Sequence, residues 1–551
     1  MRREGGVASP DTGPTSPVAH SRIQLTGHEE KAYDAQIIKD EGLESPQRVD
    51  DRVSDHTKSF PLEIWARPKA SMSDPEVIAT RQLLKDEELN QLREMCGRTL
   101  YHGLENIVVS HQTGLWTFFA TGDLPLMWLR DSAFQIGVLL PRLRQRPILR
   151  RVVEGAIRAQ AFYILQDPYA NGFYPEWRHP QEHNTYDRRL GRGGWVGVRN
   201  YELDSGAYFM NLLWNYYKTD GIYRPEVLLS EPLIYDAAMT MVRLWVKEQT
   251  HNESSPYRFS ELSNNGLGPP VGFTGMTWSG FRPSDDANTY GYSIPSNMYA
   301  ASALQKALVI NSQVWHSEEF RTVASKLLRD IDDGLMKFGR VTTNQSETIY
   351  AYEVDGLGNS LADFDDPNWP SLVSMPLLGY ADAFEPTVYR TTRARLLSTV
   401  NKYWYVGTDF EGMGSPHTSN GMAWALGTLS EVLTADTAEE KAAKLKLLLK
   451  LQCGDGLMHE SIHVNDPKRC TRRWFEWANA LAVTAVEQVL GEDCEAAAQK
   501  LHFEQVAARE QSEGAGADYD ARRHQPIEAM VQWDVKYEEK VESWKGIGNL
   551  I

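Results

Sequence analysis

The sequence predicts an all-α fold in which helices pack in layers as a closed ring and long loops at one end carry the function. Apolar residues recur mainly at helical spacing, in about a dozen segments, whereas the alternation typical of strands is rare. Loops dense in Gly, Pro, Trp, Asp and Asn separate these segments, and no repeat of fixed length is visible. The missing repeat favours a toroid of helices over a solenoid.

The predicted helices follow one another along most of the chain. Several begin beside residues that favour a helix N-terminus, among them Ser132, Asp204 and Ser296. The loops between them concentrate aromatic and acidic side chains. Helical spacing predicts helices over residues 84–96, 132–143, 148–165, 204–217, 234–247, 296–308, 318–336, 387–402, 421–433, 437–451, 474–490 and 528–544.

The composition changes once, near residue 60. Residues 1–60 contain only Tyr33 and Phe60 as aromatic residues and show no periodicity, so they bury too little apolar surface to offset the entropy of ordering. We predict a disordered N-terminal tail over residues 1–60. No Gly/Ser-rich or Pro-rich linker follows, which predicts a single domain over residues 61–551.

Charge and hydropathy narrow the function classes. The net charge of -17 leaves no general basic field for a phosphate backbone, so we expect no nucleic-acid partner. No run of 18 or more apolar residues and no apolar signal segment is visible, which predicts no membrane span and, by default, a cytoplasmic protein. A misassigned N-terminus would leave the secretory pathway or the cell wall open. These features do not predict the oligomeric state.

The cysteine pattern predicts no disulfide. Four cysteines are too few and too scattered for a disulfide framework, and no two form a C-x-x-C pair. We therefore expect buried free thiols at Cys96, Cys453, Cys470 and Cys494.

The first segment with recognisable chemistry ends in Trp128, Arg130 and Asp131. It places a flat ring, a planar donor and an acceptor within four residues, a set that can stack on a pyranose ring and hydrogen-bond its hydroxyls. The alternative is a purely structural role, in which Asp131 and Ser132 cap the following helix while Arg130 and Asp131 form an ion pair.

A pair of acidic residues, Glu202 and Asp204, stands at the start of an aromatic segment. Residues two apart do not share a helix face, so at most one of them is expected to enter a common pocket. Asp204 is the better candidate because the apolar Leu203, Tyr208 and Phe209 could raise its pKa, as a general acid requires. An N-cap role for Asp204 is the alternative.

Two further loops are rich in polar groups between aromatic residues. The loop 275–286 contains Arg282, Asp285 and Asp286 and is typical of a binding loop. Its paired acids could hold Mg²⁺, but no Gly-rich phosphate loop accompanies them. A second acidic loop, 352–368, lacks the spacing of a calcium site and is expected to be solvated.

The residues His459, Glu460 and His463 match the H-E-x-x-H pattern of zinc metallopeptidases. That chemistry requires a helix, whereas glycines precede the motif and Pro467 follows it. We therefore favour a loop that presents Glu460, with its histidines hydrogen-bonded locally, over a zinc site. Further on, Trp474 and Trp477 could present one aromatic face, although aromatic residues at this spacing more often belong to the core.

Taken together, these segments resemble, in the same order, the signature blocks of glycoside hydrolase family 125. The resemblance covers residues from about 110 to 490, and strings such as WSGFRPSDD are highly specific. The lead-in to YELDS departs from the family's usual WERKYELDS-like pattern through the Gly-rich stretch 189–197. The matching blocks are TGDLPLMWLRDSA, YELDS, GMTWSGFRPSDDA with IPSNM, YEVDGLGN, GSPHTSNG, and GLMHESIHVNDP with TRRWFEWANA.

The resemblance implies an (α/α)6 barrel that releases terminal mannose from the non-reducing end of α-1,6-mannosides, with inversion and without a metal or other cofactor. It places the general acid on Asp204 and the general base on Glu460. The implied partner is a mannose-containing oligosaccharide or N-glycan. The residues that the resemblance places in or beside the mannose pocket are Trp128, Arg130, Asp131, Arg282, Asp285, His417, His459 and Trp474.

Inverting hydrolysis requires one protonated and one ionised carboxyl, about 6.5–9.5 Å apart, so that a water molecule fits beside the base. We expect Asp204 to be kept protonated by its apolar surroundings and Glu460 to be kept charged by His459 and nearby donors. Two rival hypotheses remain: a zinc metallopeptidase, and a catalytically inactive mannoside-binding barrel.

Overall fold

The structure is a computed structural model that describes residues 62–109, 116–146, 148–179, 184–221, 224, 227–382, 384–513 and 530–533. All of these belong to one compact unit, Val53–Ile551. The predicted tail, 1–60, lies outside the described residues, as does most of the predicted helix 528–544.

Helices dominate the described part of the chain, as predicted. None of the described helices combines the length and the apolar composition needed to span a bilayer. The helices of eight or more residues are α1 Pro75–Gln82, α2 Asp86–Glu105, α3 Leu129–Leu139, α4 Leu149–Gln166, α5 Leu203–Tyr216, α6 Pro232–Glu248, α7 Ile294–Ile310, α8 Glu318–Phe338, α9 Pro386–Leu396, α10 Ala425–Thr434, α11 Ala438–Leu448, α12 Glu476–Leu490 and α13 Cys494–Glu513.

Two kinds of helix alternate along the chain. Every residue of α3 and α5 is buried, and α7, α10 and α12 are almost as completely covered. Helix α8, in contrast, buries a single face through residues such as Phe320, Val323 and Leu327, at the three- and four-residue spacing of an amphipathic helix. Helices buried on all sides form an inner ring, and amphipathic helices such as α4, α6 and α8 cover it.

The inner ring is closed by a segment that is not a regular helix. Neighbouring helices follow the order α10, α12, α3, α5 and α7. Between α7 and α10 lies the segment 369–379: the Ser302 hydroxyl of α7 donates to the Leu378 carbonyl (2.8 Å), and the Trp369 indole donates to Ser430 of α10 (2.6 Å). This double ring of helices confirms the predicted fold class.

Short strands connect several loops to the inner helices. They are two to seven residues long, too short for their alternation to be read from the sequence. β3, β6 and β13 run directly into α3, α7 and α10, so their sheets lie at the N-terminal ends of the inner helices. The strands are β1 Ile107–Val109, β2 Thr117–Phe119, β3 Met127–Trp128, β4 Gly172–Arg178, β5 Gly194–Val198, β6 Tyr292–Ser293, β7 Arg340–Thr342, β8 Thr348–Tyr350, β9 Glu353–Val354, β10 Ser360–Leu361, β11 Trp404–Val406, β12 Glu411–Met413, β13 Met422–Trp424, β14 Ser461–His463, β15 Asp466–Cys470 and β16 Gln532–Trp533.

Several predicted helix starts were wrong. Helix α3 begins at Leu129, so Asp131 and Ser132 lie in its first turn and do not cap it. Helix α7 is capped by Ser293, whose hydroxyl accepts a hydrogen bond from the Ser296 amide, and the predicted caps lie inside the helix. Helix α13 and the early end of α9 were not predicted.

The prediction of free thiols was also wrong. Cys96 of α2 is joined to Cys494 at the start of α13, and Cys453 is joined to Cys470 at the end of β15. The first pair is 398 residues apart in sequence, but α2 and α13 pack side by side, which brings their sulfurs together. For this pair, wide spacing in the sequence concealed a contact that the packing of two outer helices creates.

Candidate active site

A cavity that encloses about 410 Å³ of space, part of it open solvent, lies at the N-terminal ends of the inner helices. Charged groups and aromatic rings both face it, which suits a ligand that is polar at its edges and flat on its faces. An open cleft of about 1410 Å³ shares His417, Glu460 and Arg472 with it. The cavity is lined by Thr121, Trp128, Arg130, Asp131, Pro283, Ser284, Asp285, Asn368, His417, Trp424, Glu460, Arg472, Phe475 and Trp477.

Arg130 organises one wall of this cavity. Its guanidinium donates to Glu202 Oε2 (2.6 Å) and Asp204 Oδ2 (3.1 Å), and its Nε lies 3.6 Å from Asp131 Oδ2. The guanidinium carbon also lies 4.6 Å from the ring centre of Trp477. Because α3 begins at Leu129, Arg130 stands in the first helical turn and is held by residues from two inner helices and the loop before one of them.

Glu202 and Asp204 both contact Arg130, although neither is among the residues that line the cavity. Helix α5 begins at Leu203, so Glu202 is the extended residue before the helix, with φ -116° and ψ 122°. The helical two-residue rule therefore does not apply to this pair, and both carboxylates meet at Arg130. The same geometry removes the N-cap alternative for Asp204, since the N-cap position belongs to Glu202.

This wall holds more negative groups than its one guanidinium can neutralise. Burial raises the pKa of Glu202 well above its usual range and also raises the pKa of Asp204, while Arg130 opposes both shifts. Burial likewise raises the pKa of Asp131 to about 6. Because these acids lie close to one another, they titrate together, and burial favours their protonated forms.

Asp204 is fully buried and is not among the residues that line the cavity. Its Oδ2 accepts from Arg130, which does line it, and its Oδ1 makes no hydrogen bond to another described residue. Asp204 therefore lies one side chain behind the cavity wall.

Glu460 lines both the cavity and the cleft, directly before β14. The Thr471 hydroxyl donates to its Oε2 (2.9 Å), and Arg472 Nη1 lies 3.6 Å from its Oε1. Burial raises the pKa of Glu460, and the charges of Arg472 and His417 oppose that rise. Arg472 in turn donates to Asp123 (2.9 Å) and has φ +41°, a conformation that costs a non-glycine residue about 1–3 kcal/mol.

The H-E-x-x-H segment does not form the helix that a zinc peptidase needs. Residues 461–463 form β14, and in an extended chain residues four apart are separated by about 13 Å. His459 Nε2 hydrogen-bonds Asp455 (3.0 Å), and His463 Nδ1 accepts from the Asn465 amide (3.2 Å). Among the described residues, ligand atoms of Cys453, His459 and Cys470 lie within 4.8 Å of one another, but the two sulfurs are bonded to each other and offer no thiolate.

His417 and Asp285 reach the cavity from loops. His417 Nδ1 hydrogen-bonds Asp286 (3.1 Å), and this contact raises the pKa of His417 to about 9. Asp285 has φ +67°, in the left-handed region. Its loop is held in place by the neighbouring Ser284, whose hydroxyl donates a hydrogen bond to Asp366 (2.7 Å). The acidic loop 352–368, expected to be solvated, is therefore a buried support for the site, with Asp365 and Asp366 fully covered.

Three of the predicted binding residues are not among those that line the cavity: Arg282, His459 and Trp474. Arg282 is buried behind the Asp285 loop, where it donates to Glu353 (2.6 Å) and lies 4.7 Å from the ring centre of Phe364. The side chain of His459 is fully buried, and Trp474 packs edge-on against His102. These three side chains lie behind the cavity wall, where they support the segments that carry the lining residues.

The sequence analysis missed several lining residues, notably Arg472, Thr121 and Trp424. Arg472 stands inside the recognised TRRWFEWANA block, but the turn that points it at Glu460 is not visible in the sequence. The Gly-rich stretch 189–197, in which the sequence differs from the family pattern, contributes most of β5. Strand β5 pairs with β4, and β4 pairs with β3 at Trp128. That stretch therefore backs the Trp128 wall.

Comparisons with known proteins agree with this architecture. A family model described as metal-independent alpha-mannosidase (GH125) matches residues 88–486. A Schizosaccharomyces pombe protein, the meiotically up-regulated gene 157 protein, is 32% identical over 444 residues, which cover 74% of this chain and 84% of the relative. A solved Streptococcus pneumoniae structure, described as a metal-independent alpha mannosidase in a non-productive complex with alpha-1,6-mannobiose, is 35% identical with a TM-score of 0.67 and covers 76% of this chain and 99% of its own.

The double ring of helices, the carboxylate-lined cavity and these matches together identify the protein as a glycoside hydrolase. The chain belongs to the metal-independent α-mannosidase family GH125.

Proposed function

We propose that this enzyme is an inverting, exo-acting α-1,6-mannosidase that removes one terminal mannose at a time from the non-reducing end of a glycan. The observation that carries the proposal is one cavity lined by Glu460 and by Arg130, with Asp204 bonded directly behind Arg130. The preference for α-1,6 linkages is supported by the ligand of the similar Streptococcus pneumoniae protein.

The filled interior of the ring supports exo action. Phe134 is packed against Tyr208, Trp369 and Trp477, with ring centres 5.4–5.7 Å apart. These side chains fill the interior beneath the cavity, so a glycan cannot thread through the ring. A cavity with such a closed floor suits a chain end, and in this proposal the rest of the glycan occupies the outer cleft.

In this proposal Asp204 is the general acid. Its burial favours the protonated form, which a donor to the leaving oxygen needs. Arg130 now occupies the space between Asp204 and the cavity. When sugar hydroxyls take over the donors of Arg130, Asp204 is released towards the glycosidic oxygen.

Glu460 is the general base. Thr471 holds Oε2, which leaves Oε1 to accept a proton from the attacking water. The charges of Arg472 and His417 favour the ionised carboxylate. The water attacks the anomeric carbon, the bond to the leaving oxygen breaks, and the proton on Asp204 goes to that oxygen, which inverts the configuration.

The first test is hydrolysis of α-1,2-, α-1,3- and α-1,6-mannobiose by the purified protein, followed by NMR of the earliest product. We expect cleavage of the α-1,6 dimer and β-mannose as the first anomer. Release of α-mannose first would contradict inversion, and preferential cleavage of another linkage would contradict the specificity. Binding of mannoside without hydrolysis would favour the inactive barrel, and peptide hydrolysis that needs zinc would favour the peptidase.

We further infer that the enzyme acts on mannose-containing oligosaccharides or N-glycans in an oxidising compartment, such as the secretory pathway. All four cysteines form disulfides, which persist in such compartments and are rare in the cytosol. Thiol alkylation of the denatured, unreduced native protein followed by mass measurement should find no free thiol. Four alkylated cysteines would contradict this location.

A further inference from the structure

The Cys453–Cys470 disulfide encloses the proposed base. The two cysteines are 17 residues apart, and Glu460 lies between them in the chain. Cys470 ends β15 and lines the same outer cleft as Glu460. The disulfide therefore joins the two flanks of the segment that presents the carboxylate.

Both flanks contain the groups that hold Glu460. Directly after Cys470 come Thr471 and Arg472, which contact the two oxygens of the carboxylate. Two residues after Cys453 comes Asp455, which hydrogen-bonds the ring of His459, the residue before Glu460. Each cysteine is thus within two residues of a contact that orients the base.

The backbone at these positions is unlike a relaxed loop. Cys453 has φ +49° and Arg472 has φ +41°, both in the left-handed region that non-glycine residues avoid. Such conformations persist only where the surrounding structure imposes them. The disulfide supplies a covalent constraint at the first position and two residues before the second.

We propose that the Cys453–Cys470 disulfide is a positioning element for Glu460, so that the redox state of this pair controls catalysis. Opening the disulfide frees the Thr471–Arg472 flank, and the carboxylate loses both its fixed direction and part of the positive charge that keeps it ionised. This inference rests on the proposed role of Glu460 as the general base.

The second disulfide provides a matched control. Cys96 and Cys494 join two outer helices, and neither lines the cavity or the cleft. Its loop is far longer, so its removal should cost at least as much folding stability as removal of the first. Only the first disulfide should affect the chemistry.

The experiment compares the double variant Cys453→Ala/Cys470→Ala with Cys96→Ala/Cys494→Ala on α-1,6-mannobiose, at a temperature where both are folded. For the first variant we expect kcat to fall about tenfold to a hundredfold with little change in KM, the range for misplacing a reacting group. The acid limb of its kcat–pH profile should move to higher pH, because Glu460 loses stabilisation of its charged form. The control variant should keep the wild-type kcat and pH profile.

Reduction of the wild-type enzyme tests the same proposal without a substitution. A phosphine reductant and one water molecule convert the disulfide to two thiols, with the oxygen of the water leaving in the phosphine oxide. Alkylation with mass spectrometry reports which pair has opened. Loss of activity should follow alkylation of Cys453. A chelator is included, because His459 and the two freed thiols could capture zinc.

The outcomes separate the two proposals. Unchanged kcat and pH profile in the folded first variant, or in enzyme reduced at Cys453, would overturn the positioning role while leaving the mannosidase activity standing. If the first variant does not fold, the reduction experiment decides. A wild-type enzyme that hydrolyses none of the mannobioses would overturn both proposals.

Discussion

The two proposed catalytic carboxyls stand in contrasting surroundings. Asp204 lies in the first turn of a helix whose residues are all buried, in a cluster of acids around a single guanidinium. Glu460 stands before a short strand at the edge of an open cleft, held by one hydroxyl and the charges of Arg472 and His417. Burial raises the pKa of both carboxyls, while Arg130 opposes that rise at Asp204 and the two cations Arg472 and His417 oppose it at Glu460. The difference teaches that access separates the two roles: Asp204 is sealed behind Arg130, whereas Glu460 faces the cleft.

The largest effects should come from the two carboxyls. Asp204→Asn and Glu460→Gln should each lower kcat at least about a hundredfold. The two losses should differ in kind. A substrate with a good leaving group needs little protonation, so 2,4-dinitrophenyl α-mannoside should restore activity to Asp204→Asn but not to Glu460→Gln. Azide, which needs no base, should rescue Glu460→Gln as β-mannosyl azide.

The cavity also contains two other acids that could compete for the role of proton donor, Asp131 and Asp285. Asp131→Asn and Asp285→Asn should weaken substrate binding and raise KM, without a dependence on the leaving group. Selective rescue of either variant by the dinitrophenyl substrate would transfer the role of acid from Asp204 to that residue.

Arg130→Met should damage both function and folding. Its loss leaves buried carboxyls without their cation, which typically destabilises a fold by about 3–5 kcal/mol. A matched control is Arg142→Met, which removes the partner of the buried Glu487 away from the cavity. Denaturant unfolding should show similar destabilisation for both variants, whereas kcat at low temperature should fall only for Arg130→Met.

The acid limb of the kcat–pH profile should report the charges around Glu460. Arg472 and His417 both lower the pKa of this carboxyl, Arg472 more strongly. Removing either cation raises that pKa, so Arg472→Gln should move the acid limb to higher pH, and His417→Gln should move it less. The control variant Arg473→Gln removes the charge of the next residue in the sequence and should leave the acid limb at its wild-type pH. A limb that does not respond to Arg472→Gln would show that another group sets it.

The smallest effect concerns the cost of the acid cluster to stability. The pKa of Asp131 is raised from 3.8 to about 6, so its charge favours the unfolded state and folding stability is lost as pH rises from about 4 to 6. Asp131→Asn should therefore stabilise the protein at pH 7 by up to about 3 kcal/mol while impairing activity. The gain should disappear below pH 4, and unfolding at both pH values measures it.

Helical spacing predicted the layered ring because apolar periodicity is a local property that each helix carries in its own sequence. The exact starts of α3 and α10 could not be read in the same way. Each follows a strand whose partner is distant in the chain: β3 pairs with Gly172–Phe173, and β13 pairs with Ser461–His463. Pairing with a remote strand therefore sets these helix boundaries.

The motif blocks, their order and the residues they contain were legible in the sequence, and they were enough to indicate a mannoside-cleaving helical barrel. The sequence did not predict three contacts. These are the contacts of Glu202 and Asp204 with Arg130, the approach of Arg472 to Glu460, and the disulfide between Cys96 and Cys494. A pKa or a disulfide depends on burial and on neighbours tens to hundreds of positions away. Those neighbours exist only once the ring has closed.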